Sequence, residues 1–335
     1  MLPSQLLLSQ DRSGLPPHHG ENGFINTDPD FAEAGFSEMA PWILKKIPGT
    51  FSSGEQIEIP REYNDGSLLK ENKDYTATWI GHSTVLIQME GKNILTDPVW
   101  SNRVGPFKWA GSTRVTEPGL SIEKLPLIDF VLISHNHYDH LDESSIEKIV
   151  DKNPNVKFFV PLRVRDWFEE RGIRNVEELD WWEGTTFNGL KIICTPAQHW
   201  SSRSPWDRCL TLWGGFWIKT ATGSVWFAGD TGWGPHFAEV RSHLGAPALA
   251  LLPIGAYEPR WFMAPVHMNP DEAVRAHLAV GARQSLAMHH GTFRLTDEGI
   301  DAPVNDLAVA RKAHAVTDSA FAAPEVGETR MVSLL

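Results

Sequence analysis

The sequence predicts an α/β protein of the α+β kind, in which two sheets face each other with helices outside. Three observations lead there: short apolar, strand-like runs dominate from Tyr75 onward, single helical stretches interrupt them, and turn formers punctuate both. With 335 residues and 41% hydrophobic content, the chain can bury a full core.

Taken in order, residues 1–70 are irregular, with the turn formers SGLPPHHGENGF and NDGS and one short apolar stretch, MAPWILKKI. They are expected to form an extension wrapping a single domain over 71–335. TATWI, TVLIQM and NILTD, with a Glu90–Gly91 turn, predict a hairpin-rich start. A connector over 99–126 leads to the strand IDFVLIS. A helix from about Asp142 follows, with Ser144 and Glu147 spaced as a capping box. KFFVP predicts a strand, and PLRVRDWFEERG a helix opened by Pro161 and closed by Gly172. TTFNGLKIICTP, CLTLWGGFWIKT, SVWFAGD and APALALLPIG read as strands. NPDEAVRAHLAVG reads as a helix capped by Asn269, with Pro270 in its first turn and Gly281 as terminator. SLAMHH is the last expected strand, and a helix near 304–314 precedes a polar tail.

A net charge of −12 argues against a nucleic-acid partner, although Arg103, Lys108 and Arg114 allow a local basic patch. Two cysteines, Cys194 and Cys209, exclude a disulfide framework and favour a reducing compartment. The opening MLPSQLLLSQDRSG has neither a basic n-region nor a long apolar run, so the expectation is a cytoplasmic protein without a leader or anchor.

The chemistry is concentrated in SHNHYDHLD, residues 134–142, directly after an apolar run. If the strand continues, His135 and His137 project from one face, while Asp139 and His140 follow in the turn. Imidazole and carboxylate suit borderline divalent metals such as zinc. Ligands leaving in two directions fit two ions better than one. Later strand ends offer His199, Asp230 and the pair His289–His290. On a strand those last two would face opposite ways, so only one of them can be a ligand.

SHNHYDHLD, TPAQHW, AGDTG and MHHGTF, in this order, resemble the metallo-β-lactamase superfamily. TWIGHSTVLIQM, ILTDPV, ELDWWE and PIGAYEPRWFM narrow the likeness to the N-acyl-phosphatidylethanolamine-hydrolysing phospholipase D branch, from about Tyr75 to Val304. The resemblance implies a four-layer αββα sandwich and two Zn2+ ions per chain, other divalent metals being alternatives. His135, His137 and His199 would hold one ion, and Asp139, His140 and His289 the other, with Asp230 bridging. His290 stands where the family usually has tryptophan. His82 would take a supporting role, and Asp97 would either orient a ligand imidazole or cap a turn.

The implied reaction is attack on a phosphodiester by a metal-bridging hydroxide, with Asp139, Asp230 and His267 as the catalytic side chains. YEPRWFMAPVH (257–267) is the expected substrate wall. Trp261, Phe262 and Met263 are consecutive there and best explained by a loop, with Tyr257, Arg260, Trp261, Phe262 and His267 as contacts. Arg260 would pair with a phosphate or with Glu258. The expected partners are a phospholipid or other phosphodiester substrate, a membrane surface touched peripherally, and a second copy of the chain in a homodimer. The alternative activity is that of a lactonase or another small phosphoester or ester hydrolase of the same superfamily.

Overall fold

The computed structural model describes residues 14–32, 58–107 and 109–333. The MAPWILKKI stretch, most of MLPSQLLLSQDRSG and Lys108 lie outside the described residues. The chain begins with a small hairpin, β1 (His19–Gly20) and β2 (Gly23–Phe24). Three antiparallel strands follow: β3 (Thr76–Gly81), β4 (Thr84–Met89) and β5 (Lys92–Thr96). The expected connector instead holds a second hairpin, β6 (Arg103–Phe107) and β7 (Ala110–Thr113).

Beyond it, β8 (Phe130–Leu132), α1 (Glu143–Lys152), β9 (Lys157–Pro161), α2 (Arg165–Glu169) and β10 (Val176–Leu179) extend the first sheet in parallel. The second sheet starts with β11 (Gly184–Phe187), β12 (Leu190–Thr195), β13 (Gly215–Lys219) and β14 (Ser224–Phe227), all antiparallel. It continues in parallel through α3 (His236–Leu244), β15 (Leu249–Pro253), α4 (Arg260–Met263), α5 (Pro270–Val280), β16 (Gln284–Met288), α6 (Ala302–Ala313) and β17 (Phe321–Ala322). Finally β18 (Thr329–Met331) returns to the first sheet beside β3. The two seven-stranded orders are β10-β9-β8-β5-β4-β3-β18 and β11-β12-β13-β14-β15-β16-β17.

Period-two burial makes this a four-layer αββα sandwich. In β4, Val85, Ile87 and Met89 enter the core between the sheets with Phe130, Phe216, Phe227 and Leu251. Leu86 points the other way, toward Ile146 and Ile149 of α1 and Phe168 of α2. Behind the second sheet, Phe237, Val274 and Leu307 bring α3, α5 and α6 onto Trp226 and Ala250. The expected fold class is thus the observed one.

Several elements depart from expectation. Asp142 is the N-cap of α1 and Ser144 lies inside the helix. The Asp142 carboxylate accepts from the hydroxyls of Ser101 (2.8 Å) and Ser145 (2.5 Å), so there is no Ser144–Glu147 capping box. Pro161 ends β9 rather than opening a helix, because its strand is paired on both sides and its carbon backbone stays in register with Leu179. Only five residues, 165–169, then turn helical. The run 184–195 bends into a hairpin at Asn188 and Gly189, both at positive φ. Of CLTLWGGFWIKT, only Gly215–Lys219 is strand. The polar tail supplies an edge strand to each sheet. At α5 the expectation holds in full: Asn269 and Glu272 form a reciprocal capping box, with Pro270 first and Gly281 left-handed at the end.

Phe130 is fully buried, edge-on to Phe159 and Phe187. Phe130→Ala should therefore lower stability by about 3–5 kcal/mol, read as a shift of the urea midpoint. A loss under about 1 kcal/mol would contradict the packing described.

Candidate metal centre

Strand β8 stops at Leu132, so His135 and His137 do not project from a strand as expected; they sit in the loop beyond it. They converge nonetheless, His135 Nε2 lying 2.8 Å from His137 Nδ1. His199 follows β12, Asp230 follows β14 and His289 follows β16, so the candidate ligands come off strand ends along one rim of the sandwich. His199 Nε2 is 3.3 Å from His137 Nδ1, which completes a group of three imidazoles. Beside it, His82, Asp139, His140 and His289 bring one ligand-capable atom each within 4.8 Å of one another. Asp230 Oδ2 stands between the groups, 3.0 Å from His289 Nε2, 3.1 Å from His140 Nε2 and 3.9 Å from His199 Nε2.

Supporting bonds fix which ring nitrogen faces inward. Asp97, fully buried, accepts from the Ser134 N–H (2.7 Å), the Ser134 hydroxyl (2.5 Å) and His140 Nδ1 (2.6 Å). This leaves His140 Nε2 aimed at Asp230 and shows Asp97 orienting an imidazole. His199 Nδ1 donates to the Val266 carbonyl at 3.1 Å, so its Nε2 faces the site. His82 Nε2 lies 3.0 Å from Asp139 Oδ2. His290, the other half of the ambiguous pair, turns away and stacks on Trp79 at 4.4 Å. His82, Asp97 and His289 all have positive φ, at 54°, 30° and 59°. Such backbone costs about 1–3 kcal/mol per residue and persists only where surrounding bonds enforce it.

Asp230 Oδ1 and His267 Nδ1 are buried without a hydrogen-bond partner, while the inner nitrogens of His140 and His289 meet only carboxylate oxygens of Asp230 and Asp139. A cluster of imidazoles and two carboxylates with unpaired inward atoms is the donor set that a borderline divalent cation requires. The protonation states agree. Burial pushes His137 and His199 down to about 3, as neutral ligands should be. Burial also opposes charge on His289, but Asp230 and Asp139 outweigh it and lift the group to about 9. His140 is raised well above its ordinary value in the same way, burial being overcome by Asp230, Asp139 and Asp97. Asp139 and Asp230 are held well below the carboxylate range despite burial, chiefly by His140. Protons on His140 and His289 thus occupy positions that a cation would take.

His267, expected to touch substrate, is buried beside His199 and Asp230, with its ring 5.0 Å from that of His199. The rest of the expected substrate wall is organised differently. Residues 260–263 form one helical turn that buries Met263 and leaves Trp261 55% exposed. The Arg260 guanidinium is held in two bonds by Glu272 (2.8 and 2.9 Å) and donates to the His267 carbonyl (2.9 Å). It therefore braces the loop and pairs with neither Glu258 nor an open phosphate position. The Tyr257 hydroxyl is committed to Asp306 at 2.5 Å. Phe262 is partly buried and tilted against Trp261 at 5.8 Å.

The cleft that reaches the metal residues lies elsewhere. About 460 Å³ in volume, it exposes His137 and Asp139 and is walled by Val104, Pro106, Trp200, Pro205 and Leu295. Sequence reasoning missed it. The only signal was proline and tryptophan in two turn-rich stretches, RVGPFKWAG and HWSSRSPW. Arg114 forms no surface patch there: its guanidinium is turned inward onto the carbonyls of Val99 and Ser101. Cys194 is buried and its thiol is pushed well above its ordinary value by burial, which leaves it inert.

Residues 92–290 match the beta-lactamase superfamily domain. The chain is 41% identical over 264 residues to N-acyl-phosphatidylethanolamine-hydrolyzing phospholipase D 1 of Caenorhabditis elegans, covering 75% of this chain and 74% of that protein. It is 34% identical over 333 residues to the mitochondrial N-acyl-phosphatidylethanolamine-hydrolyzing phospholipase D of Saccharomyces cerevisiae, covering 96% and 70%. Among solved structures, an isothiocyanate hydrolase from Delia radicum gut bacteria shares the fold with a TM-score of 0.62 at 22% identity, over 77% of this chain and 99% of that one.

Metal uptake must displace protons from His140 and His289, so apparent affinity should rise with pH across the range below about 9, where His289 still carries its proton. The expected gain is up to about tenfold per pH unit for each proton released. Calorimetric titration of chelator-treated protein in buffers of different ionisation enthalpy measures it, and zero net proton release at pH 7 would contradict the assigned states. Asp97→Asn should weaken metal binding about 10–100-fold by loosening His140, measured by competition with a chromophoric chelator.

Proposed function

This chain belongs to the beta-lactamase superfamily and is a metal-dependent hydrolase, and from that premise we propose a phosphodiesterase of phospholipase D type acting on N-acyl phosphatidylethanolamine or a closely related lipid. The observation that carries the substrate class is the 41% identity, over three quarters of the chain, to a protein named for that activity. In this reading His135, His137 and His199 would hold one Zn2+ and Asp139, His140 and His289 a second, with Asp230 shared between the two groups. When bound, such ions lower the pKa of water to about 7 and act as Lewis acids toward a phosphoryl oxygen.

The chain's own residues contribute positioning. Asp97 and the Val266 carbonyl lock the His140 and His199 rings, so the inner nitrogens need not reorient during turnover. His267, whose buried Nδ1 has no partner and whose ring lies beside His199 and Asp230, would in this reading meet the phosphoryl group or the departing oxygen. The walls of Val104, Pro106, Trp200 and Leu295 give an acyl chain an apolar path to His137 and Asp139.

The working unit in this reading is the 71–335 hydrolase domain with residues 14–32 and 58–70 laid against it, as a cytoplasmic homodimer that meets lipid at a membrane surface. Among the described residues no helix is long and apolar enough to cross a membrane, so contact would be peripheral.

Purified protein with measured metal content should release phosphatidic acid from N-acyl phosphatidylethanolamine faster than it hydrolyses simple phosphodiesters or lactones. Preference for a lactone would replace this reading with the lactonase alternative. Asp230→Asn should cut turnover at least about 100-fold without unfolding the protein. A similar rate per bound metal ion would refute the two-ion arrangement.

A further inference from the structure

The N-terminal hairpin is tied to the metal centre through a single side chain. His199 lies in the stretch between β12 and β13, where no strand partner serves its main chain. Instead its N–H donates to Asn26 Oδ1 (3.1 Å), and its carbonyl accepts from Asn26 Nδ2 (2.8 Å). One carboxamide thereby satisfies both main-chain hydrogen-bonding groups of a buried residue. Asn26 is itself held by a chain of anchors. The Phe24 N–H donates to the Cys209 carbonyl (2.8 Å), and the Phe24 ring joins the core between the sheets. Gly23, at φ +140°, passes so close to the Cys209 carbonyl that a Cβ there would lie 2.2 Å from its oxygen.

Upstream, His18 and His19 both engage Asp180, at 2.6 and 2.7 Å, and His18 stacks on Trp181 at 4.3 Å. The hairpin therefore bridges the stretch after β10 and both ends of the 196–210 loop.

We propose that Asn26 is a positioning residue for the metal centre, fixing the main chain of His199 from a strap that His18 and His19 fasten to Asp180. The His199 ring has one outward bond, to Val266. That bond sets the ring's rotation but not the position of its backbone, which Asn26 supplies. The hairpin is thus a working part of the hydrolase, although it lies far outside the matched residues 92–290. The inference rests on His199 being a metal ligand.

Cobalt(II) titration of the full-length, chelator-treated protein tests it, because the visible spectrum reports ligand geometry independently of turnover. Asn26→Ala should bind cobalt about 10–100-fold more weakly, with an altered visible spectrum, while the metal-free protein still unfolds cooperatively. A role in stability alone would lower the melting temperature and leave cobalt affinity and spectrum at wild-type values; that result overturns the proposal. Asn26→Asp keeps the acceptor and loses the donor, so it serves if Asn26→Ala does not fold: a shifted cobalt spectrum supports positioning, and an unchanged one overturns it. Failure of the wild-type protein to bind cobalt would instead overturn the metal reading of His199, so the two failures are distinct.

Discussion

Asp97 is a carboxylate with no access to water, and the site is built around the means by which its burial is tolerated. Three donors converge on it, two from Ser134 and one from His140, which is what an ionised group in a low-dielectric interior requires. That demand fixes the turn after β5 to the loop after β8, and hence the direction of the whole SHNHYDHLD segment. His140 then has one nitrogen committed and one free, and the free one meets Asp230 from the opposite sheet. The two sheets are joined at their rim by a network of compensating charges whose natural centre is a cation. The apolar interior between them supplies the stiffness that keeps the rim in register.

Parallel strands put loops at a common edge, and each sheet is parallel over half its width. Residues following β8, β14 and β16 therefore meet without long-range design: sheet polarity delivers them. His199 reaches the same rim, because β12 and β14 are both antiparallel to β13, but it opens a long irregular stretch. It is also the one whose main chain depends on a distant carboxamide.

Legibility in the sequence tracked the distance between partners. The cluster at 134–142 was readable because its candidate ligands are neighbours, and α5 because capping is a local matter. Asp97 stayed ambiguous since its imidazole lies 43 residues away, and Asn26 drew no notice since its partner is 173 residues away. For Arg260 the sequence offered a phosphate or the nearby Glu258, whereas the chain folds Glu272 onto its guanidinium. The choice between His289 and His290 needed the turn after β16, where positive φ at His289 breaks strand alternation. The cleft was invisible because its walls come from segments far apart in the chain, around Val104, Trp200 and Leu295. Strands of two or three residues, such as β17 and β18, carry no periodicity to read.

Those two short strands also have a topological meaning. One lies on the border of each sheet, with only six residues between them. The last part of the chain therefore acts as a seam, hiding unpaired backbone on both sheets with one continuous thread. If that thread lifts, two β edges open together on the same flank, each ready to recruit a foreign strand.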